Sequence, residues 1–97
     1  MQNVNSIASR YMLILTSIAQ MTQRGEAVGD LATNAVRDCI SAMEEAGAEL
    51  PKIKQILHEK FESELKLAGP NQKLYCEVLE DALREMSRLL FQREKER

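Results

Sequence analysis

Apolar residues between positions 4 and 21 recur every three or four residues, and this pattern constrains the fold more than any other feature of the chain. One row along the helix consists of Val4, Ile7, Tyr11, Ile14, Ile18 and Met21. A second row lies beside it and consists of Ala8, Met12, Leu15 and Ala19. At about 100° per residue, two adjacent rows make roughly half of the helix circumference apolar. Such a helix packs against neighbours on more than one side, which predicts an all-α protein.

Turn residues separate three further segments that have the same helical periodicity. Gly25 is suited to end the first helix, Asp30 to begin the second and Pro51 to occupy the first turn of the third. Gly69 and Pro70 then stop the third helix. These signals predict helices at about 6–24, 31–46, 51–68 and 71–93. We therefore predict a single domain, residues 1–97, that folds as a small antiparallel four-helix bundle with chain neighbours packed against each other.

The C-terminal sequence QREKER has no apolar residue. A helix end without an apolar anchor loses the packing that holds the rest of the helix in place. We expect this tail to fray.

The first and fourth helices have wider apolar faces than one bundle seam requires. We expect them to form the spine of the bundle and to build a homodimer interface or a groove for a partner helix. Leu13 and Phe91 support this interpretation, because each lies on the otherwise polar side of its helix. The residues assigned to the partner or dimer interface are Tyr11, Met12, Leu13, Leu15, Ala19, Leu83, Leu90 and Phe91.

Two charged residues interrupt the apolar stripe of the third helix. Lys60 and Glu64 project into the same sector as its apolar residues. Their spacing of four residues allows them to form an ion pair at the margin of the core, worth about 0.3 to 0.5 kcal/mol. The alternative is that both lie at a protein interface.

Composition places the chain among soluble globular proteins. Apolar residues make up 44% and charged residues 29% of the sequence, with a net charge of −2. The densest apolar run, 11–15, is too short to span a bilayer, and no signal-peptide pattern opens the sequence. We predict a cytoplasmic protein that does not enter a membrane, with Cys39 and Cys76 as buried free thiols. A disulfide between the two helices that carry them is the alternative.

The single histidine, His58, lies on a predicted helix, as the reactive histidine of phosphotransfer bundles does. Those proteins place a lysine and then a glycine shortly after the histidine, whereas here Glu59 to Glu62 follow it and their acids would repel a phosphoryl group. The two cysteines and one histidine lack the spacing of a metal site. We predict that the protein is not an enzyme and that it has no catalytic site, metal or cofactor.

DNA binding is the alternative function. In CISAMEEAGAELPKIKQIL, Gly47 falls in a turn between two helices, and Ile53 and Ile56 follow at spacings that resemble a helix-turn-helix. The candidate recognition helix begins at Pro51. The residues assigned to DNA contact are Lys52, Lys54 and Gln55. Against this alternative, Glu44, Glu45 and Glu49 give the preceding helix and turn a negative field that opposes a polyanion.

These features together predict a small non-enzymatic protein-binding module. Adaptors, anti-activators, immunity proteins and secretion-type chaperones all offer a broad apolar helix face to a partner, and the sequence does not rank them. The expected partner is another protein or a second copy of the chain. We expect no nucleic acid, membrane or small-molecule substrate.

Overall fold

Four α-helices account for most of residues 3–96, which are the residues described by the computed structural model. The helices are α1 (Val4–Gln23), α2 (Leu31–Glu45), α3 (Leu50–Leu67) and α4 (Lys73–Lys95). Within the described range no residue forms a β-strand, and the molecule measures 40 × 24 × 20 Å along its principal axes. The predicted all-α four-helix bundle is therefore confirmed.

Polar contacts between helix ends define the directions of the helices. The side chain of Gln23, at the end of α1, bonds to the backbone of Asn71 and Tyr75 at the start of α4. Arg93, near the end of α4, bonds to Glu44 at the end of α2. α1 and α4 are therefore antiparallel, whereas α2 and α4 run in the same direction. This is the order of an up-and-down bundle.

Chain neighbours pack together as expected at α1–α2 and α3–α4, but not at α2–α3. α1 packs most extensively against α2 and α4, and α4 also packs against α2 and α3. The chain neighbours α2 and α3 pack least against each other. α1 and α4 thus form the spine of the bundle, with α2 on one side and α3 on the other, because the wide apolar faces of α1 and α4 pack against each other and against both flanking helices.

The core is aliphatic apart from one phenylalanine and one tyrosine. Its largest side chains with less than 2% exposure are Phe61, Leu15, Ile40, Met43, Ile53, Leu79, Met86 and Leu90. No polar or charged residue between positions 3 and 96 is buried. Burial of apolar surface therefore dominates the stability of this fold.

The face of α1 that is buried is centred closer to the second apolar row, which begins at Ala8, than to the first row, which begins at Val4. Both Ala8 and Ala19 of the second row are 0% exposed, whereas Ile14 of the first row is 42% exposed. The two alanines let neighbouring helices approach closely, so α1 turns its second row inward. Ile14 is therefore left exposed to solvent.

The ends of α1 and α2 follow local chemistry. Asn3 caps α1, because its side-chain oxygen accepts a hydrogen bond from the Asn5 backbone N–H at 2.7 Å. Gly25 and Gly47 follow these helices with φ angles of 88° and 94°. Glycine is favoured there because its missing Cβ permits the left-handed conformation that ends a helix.

The C-terminal helix extends two residues beyond its predicted end, to Lys95. Arg93 anchors this last turn: its Nε donates to Glu44 Oε1 at 2.7 Å, and both side chains are largely covered. The segment after Phe91 therefore has a polar contact to α2 although it has no apolar anchor, and the fraying of the tail stays a prediction.

Replacing Gln23 by Ala is expected to destabilise the fold by about 1 kcal/mol. The Gln23 amide accepts a hydrogen bond from the Tyr75 N–H at 3.0 Å and donates one to the Asn71 carbonyl at 3.3 Å. It therefore caps α4 from another helix. Urea unfolding followed by circular dichroism measures the loss. Gln20→Ala, at an exposed position of the same helix, is the matched control, and an equal loss in both variants contradicts the capping role.

Candidate functional site

The outward face of α1 is the least charged helical surface of the bundle. Between Val4 and Gln23 the only charged residue is Arg10. The exposed residues of this face are otherwise small or polar, apart from Leu13 and Ile14. Leu13 is 69% exposed and lies near the middle of the helix. A large apolar side chain at the centre of a face with a single charge is the arrangement found at protein contacts.

Two hydroxyl groups beside Leu13 are already hydrogen-bonded within the helix. Thr16 Oγ1 and Ser17 Oγ donate to the Leu13 carbonyl oxygen at 3.1 and 2.8 Å. A partner that covers this face therefore leaves neither donor without an acceptor. Since unsatisfied buried donors are the main cost of covering polar surface, this face is easier to desolvate than its composition suggests.

A groove of about 500 Å³ runs between α1 and α3 next to Leu13. Its lining residues are Ser9, Met12, Leu13, Thr16, Glu59, Lys60, Ser63 and Glu64. Lys60 and Glu64 do not form the predicted ion pair: within residues 3–96 no salt bridge joins them. A lysine placed before a glutamate at this spacing has the less favourable orientation of the pair. Both charges instead line the groove.

A second cavity, of about 340 Å³, lies where α4 meets the turn between α1 and α2. Its charged lining residues, Asp81 and Glu85, are engaged by Arg84 and Arg88 on the same helix. The hydrogen bond from Arg88 holds the pKa of the Glu85 carboxyl below its usual value. Because both carboxylates are already paired, this cavity offers less to a charged ligand than the α1–α3 groove.

The structure contradicts the assignment of four of the eight residues predicted to form the partner or dimer interface. Four of its residues are core residues with little or no exposure: Met12 at 5%, Leu15 at 1%, Ala19 at 0% and Leu90 at 2%. Their side chains pack against other helices of the same chain and are not available to a partner. The apolar width that suggested an external contact is used inside the bundle, because α1 and α4 each contact the three other helices.

The other predicted interface residues occupy different positions. Tyr11 and Leu83 are half-buried against the core, whereas Leu13 and Phe91 are exposed. α1 and α4 pack through their buried faces, so Leu13 and Phe91 point to opposite sides of the bundle. The Phe91 ring also lies 4.8 Å from the Lys95 ammonium. The structure therefore does not bring the eight residues into one surface.

The three predicted DNA-contact residues are exposed near the start of α3. Lys52, Lys54 and Gln55 each face solvent. In a helix-turn-helix, the first helix packs against the recognition helix and holds it in the groove. Here α2 and α3 pack less against each other than any other pair of helices. The limited contact between α2 and α3 therefore counts against the helix-turn-helix interpretation.

The remaining reactive groups are dispersed. His58 pairs with Glu62 across one helical turn, with Nδ1 to Oε1 at 3.3 Å on an exposed face. Burial raises the pKa of the Cys39 thiol to about 12, which outweighs the opposing effect of Arg10, so the thiol stays protonated at neutral pH. Cys39 is buried as predicted, whereas Cys76 is only half-buried, and both are free. In the described part of the chain no three potential metal ligands lie together.

Several groove residues were not identified from the sequence. Ser9, Thr16, Glu59 and Ser63 come from helices that are distant in sequence, so no local motif marks them. The low charge of the polar side of the first helix was the available signal. It indicated which face tolerates burial but not which helix completes the groove.

No helix within residues 3–96 combines the length and apolarity needed to cross a membrane. Comparison with known proteins gives no assignment: no family model, curated protein or solved structure matches the chain significantly.

Proposed function

We propose that this protein is a small non-enzymatic protein-binding module whose contact surface is the outer face of α1 together with the α1–α3 groove. The main support for this proposal is that the Leu13 side chain is 69% exposed at the centre of a face whose only charged residue is Arg10. Adaptors, anti-activators, immunity proteins and secretion-type chaperones all work by such a contact.

The shape of the surface favours a protein partner. A groove of about 500 Å³ beside a flat helix face accommodates one or two side chains of a partner that lies across both. The bonded hydroxyls of Thr16 and Ser17 lower the cost of covering the face. Leu13 then supplies the apolar anchor, since binding energy concentrates in a few central side chains surrounded by less important contacts.

Leu13→Asp is expected to weaken partner binding at least about tenfold, because it places a charge at the centre of the contact. The measurement is affinity capture from native lysate with wild-type and variant protein, followed by mass spectrometry. A photocrosslinking residue at position 13 identifies the proteins that touch this site. The helical circular dichroism signal should not change, since the side chain is largely exposed.

Phe91→Asp is the matched comparison, because it introduces the same charge at an exposed apolar residue on the opposite side. The sequence predicts that both residues contribute. The structure favours the larger effect at Leu13, since Lys95 already covers part of Phe91. Full capture by Leu13→Asp together with loss in Phe91→Asp would move the contact surface to α4 and refute the proposal.

The DNA-binding alternative rests on Lys52, Lys54 and Gln55, which are exposed on one end of α3. It requires salt-dependent DNA binding that is lost when the two lysines are replaced by glutamate. An electrophoretic mobility shift across a salt series separates the two functions. A partner complex that survives high salt and is insensitive to these lysines supports the α1 surface.

A further inference from the structure

The two edges of the outer face of α1 differ in chemistry. One edge borders α3 and contains the groove. The other lies toward α2, which packs on the side of the spine away from α3. Arg10 falls on this second edge, because at about 100° per residue Arg10 and the groove residues Ser9 and Thr16 lie on opposite sides of Leu13. Ile14 follows Arg10 by four residues and therefore lies on the same edge, where it is 42% exposed. On this edge α1 thus presents one cation, Arg10, which lies over the Tyr11 ring at 5.5 Å, beside the apolar side chain of Ile14.

The α3 edge carries the opposite charge. Glu59 and Glu64 line the groove together with a single cation, Lys60. Within residues 3–96 neither carboxylate forms a salt bridge. Glu59 is exposed at the rim, while Glu64 is half-buried. The groove therefore has a net negative charge and suits a cationic side chain that stands beside an apolar one.

Arg10 and Ile14 of a second copy have this chemistry, and symmetry can bring them to the groove. A two-fold axis parallel to a helix exchanges its left and right edges but leaves every residue at its own height. It places the α2 edge of one copy against the α3 edge of the other. The groove is lined by Ser9 to Thr16 of α1 and by Glu59 to Glu64 of α3, so these stretches lie at one height. Arg10 falls at the Glu59 end of the groove.

We propose that the occupant of this surface is a second copy of the chain, in a parallel two-fold dimer in which α1 packs on α1 and Arg10 of each copy meets Glu59 of the other. Leu13 then meets its own counterpart at the axis. Ser6, Ser17 and Gln20 lie on the same face, at seven residues before Leu13 and four and seven residues after it. This heptad-like spacing, with the small side chains of Ser6 and Ser17 beside Leu13, allows two helices to approach to about 8–10 Å.

The antiparallel arrangement of the same two faces is less favourable. A two-fold axis perpendicular to α1 keeps each edge on its own side, so that α3 faces α3 and α2 faces α2. It brings the two acidic grooves together and places the Arg10 residues of the two copies on the same side, away from Glu59. Because like charges in a contact are repulsive, charge complementarity selects the parallel arrangement.

Sedimentation equilibrium from about 1 μM to about 1 mM protein tests this dimer. The expected result is a reversible monomer–dimer equilibrium that Leu13→Asp abolishes. Arg10→Glu and Glu59→Arg should each raise the dissociation constant about tenfold, and the variant that combines them should return to within about threefold of wild type. Glu62→Arg is the matched control: it changes the same charge on α3, but Glu62 faces His58 rather than the groove, so the constant should stay within about twofold.

This inference rests on the proposed use of the α1 surface, but the two fail in different ways. A strict monomer throughout the concentration series overturns the dimer, as does a dimer that Leu13→Asp leaves intact. Failure of the combined charge exchange to restore association overturns the parallel arrangement. If the chain is monomeric and a crosslinker at position 13 captures another protein, the proposed function stands without the dimer. If crosslinks at position 13 join only two copies of the chain, self-association stands and a heterologous partner does not.

Discussion

Leu15→Asp is expected to abolish cooperative folding, whereas Leu13→Asp leaves the fold intact. The two residues are neighbours in the predicted interface, but Leu15 is 1% exposed and Leu13 is 69% exposed. An isolated carboxylate at the position of Leu15 loses its hydration, and no buried polar group among the described residues is available to pair with it. The expected loss of at least about 4 kcal/mol is a large part of the stability of a domain this size.

Thermal and urea unfolding followed by circular dichroism measure both variants. For Leu13→Asp, measured at a protein concentration at which the wild type is monomeric, the expected change stays within about 0.7 kcal/mol, the difference in helix propensity between the two residues. The comparison tests the orientation of α1, since the two positions lie about 160° apart around the helix. Equal destabilisation of both variants would mean that α1 is rotated and that Leu13 belongs to the core.

Phe61→Ala is expected to destabilise the fold by about 3 to 5 kcal/mol. Phe61 is 1% exposed and is the largest of the fully buried side chains. Removing the ring loses its buried apolar surface and leaves a cavity between helices. The bundle depends on apolar packing for its stability, so the cavity adds to the loss. In a chain of 97 residues this loss approaches the whole free energy of unfolding.

Denaturant unfolding of Phe61→Ala should be compared with Phe61→Leu and Phe91→Ala. Leucine retains much of the apolar volume, so the expected loss falls to about 1.5 kcal/mol. Phe91 is 57% exposed and contacts Lys95, so removing its ring should cost no more than about 1 kcal/mol. A loss at Phe91 as large as that at Phe61 would contradict the placement of α4.

The sequence was most informative about where the helices begin and end, and least informative about which helix faces are buried. Helix ends were predicted to within two residues, because caps and glycine stops are local features. The interface was predicted half incorrectly, because a wide apolar face is equally compatible with contact to several helices of one chain or to another chain. Met12, Leu15, Ala19 and Leu90 belong to the first case. Leu13 was placed correctly on the surface because it interrupts a polar row.

The sequence by itself determined that this chain forms four amphipathic helices and that one of them has an outer face almost free of charge. Both properties follow from residue spacing along a single helix. Only the tertiary structure decided that α2 and α3 stand apart on either side of an α1–α4 spine. It also joined the Leu13 face to Glu59, Lys60 and Glu64 in one groove. Contacts between distant segments depend on how every apolar face is buried at once, and that information is not present in any single helix.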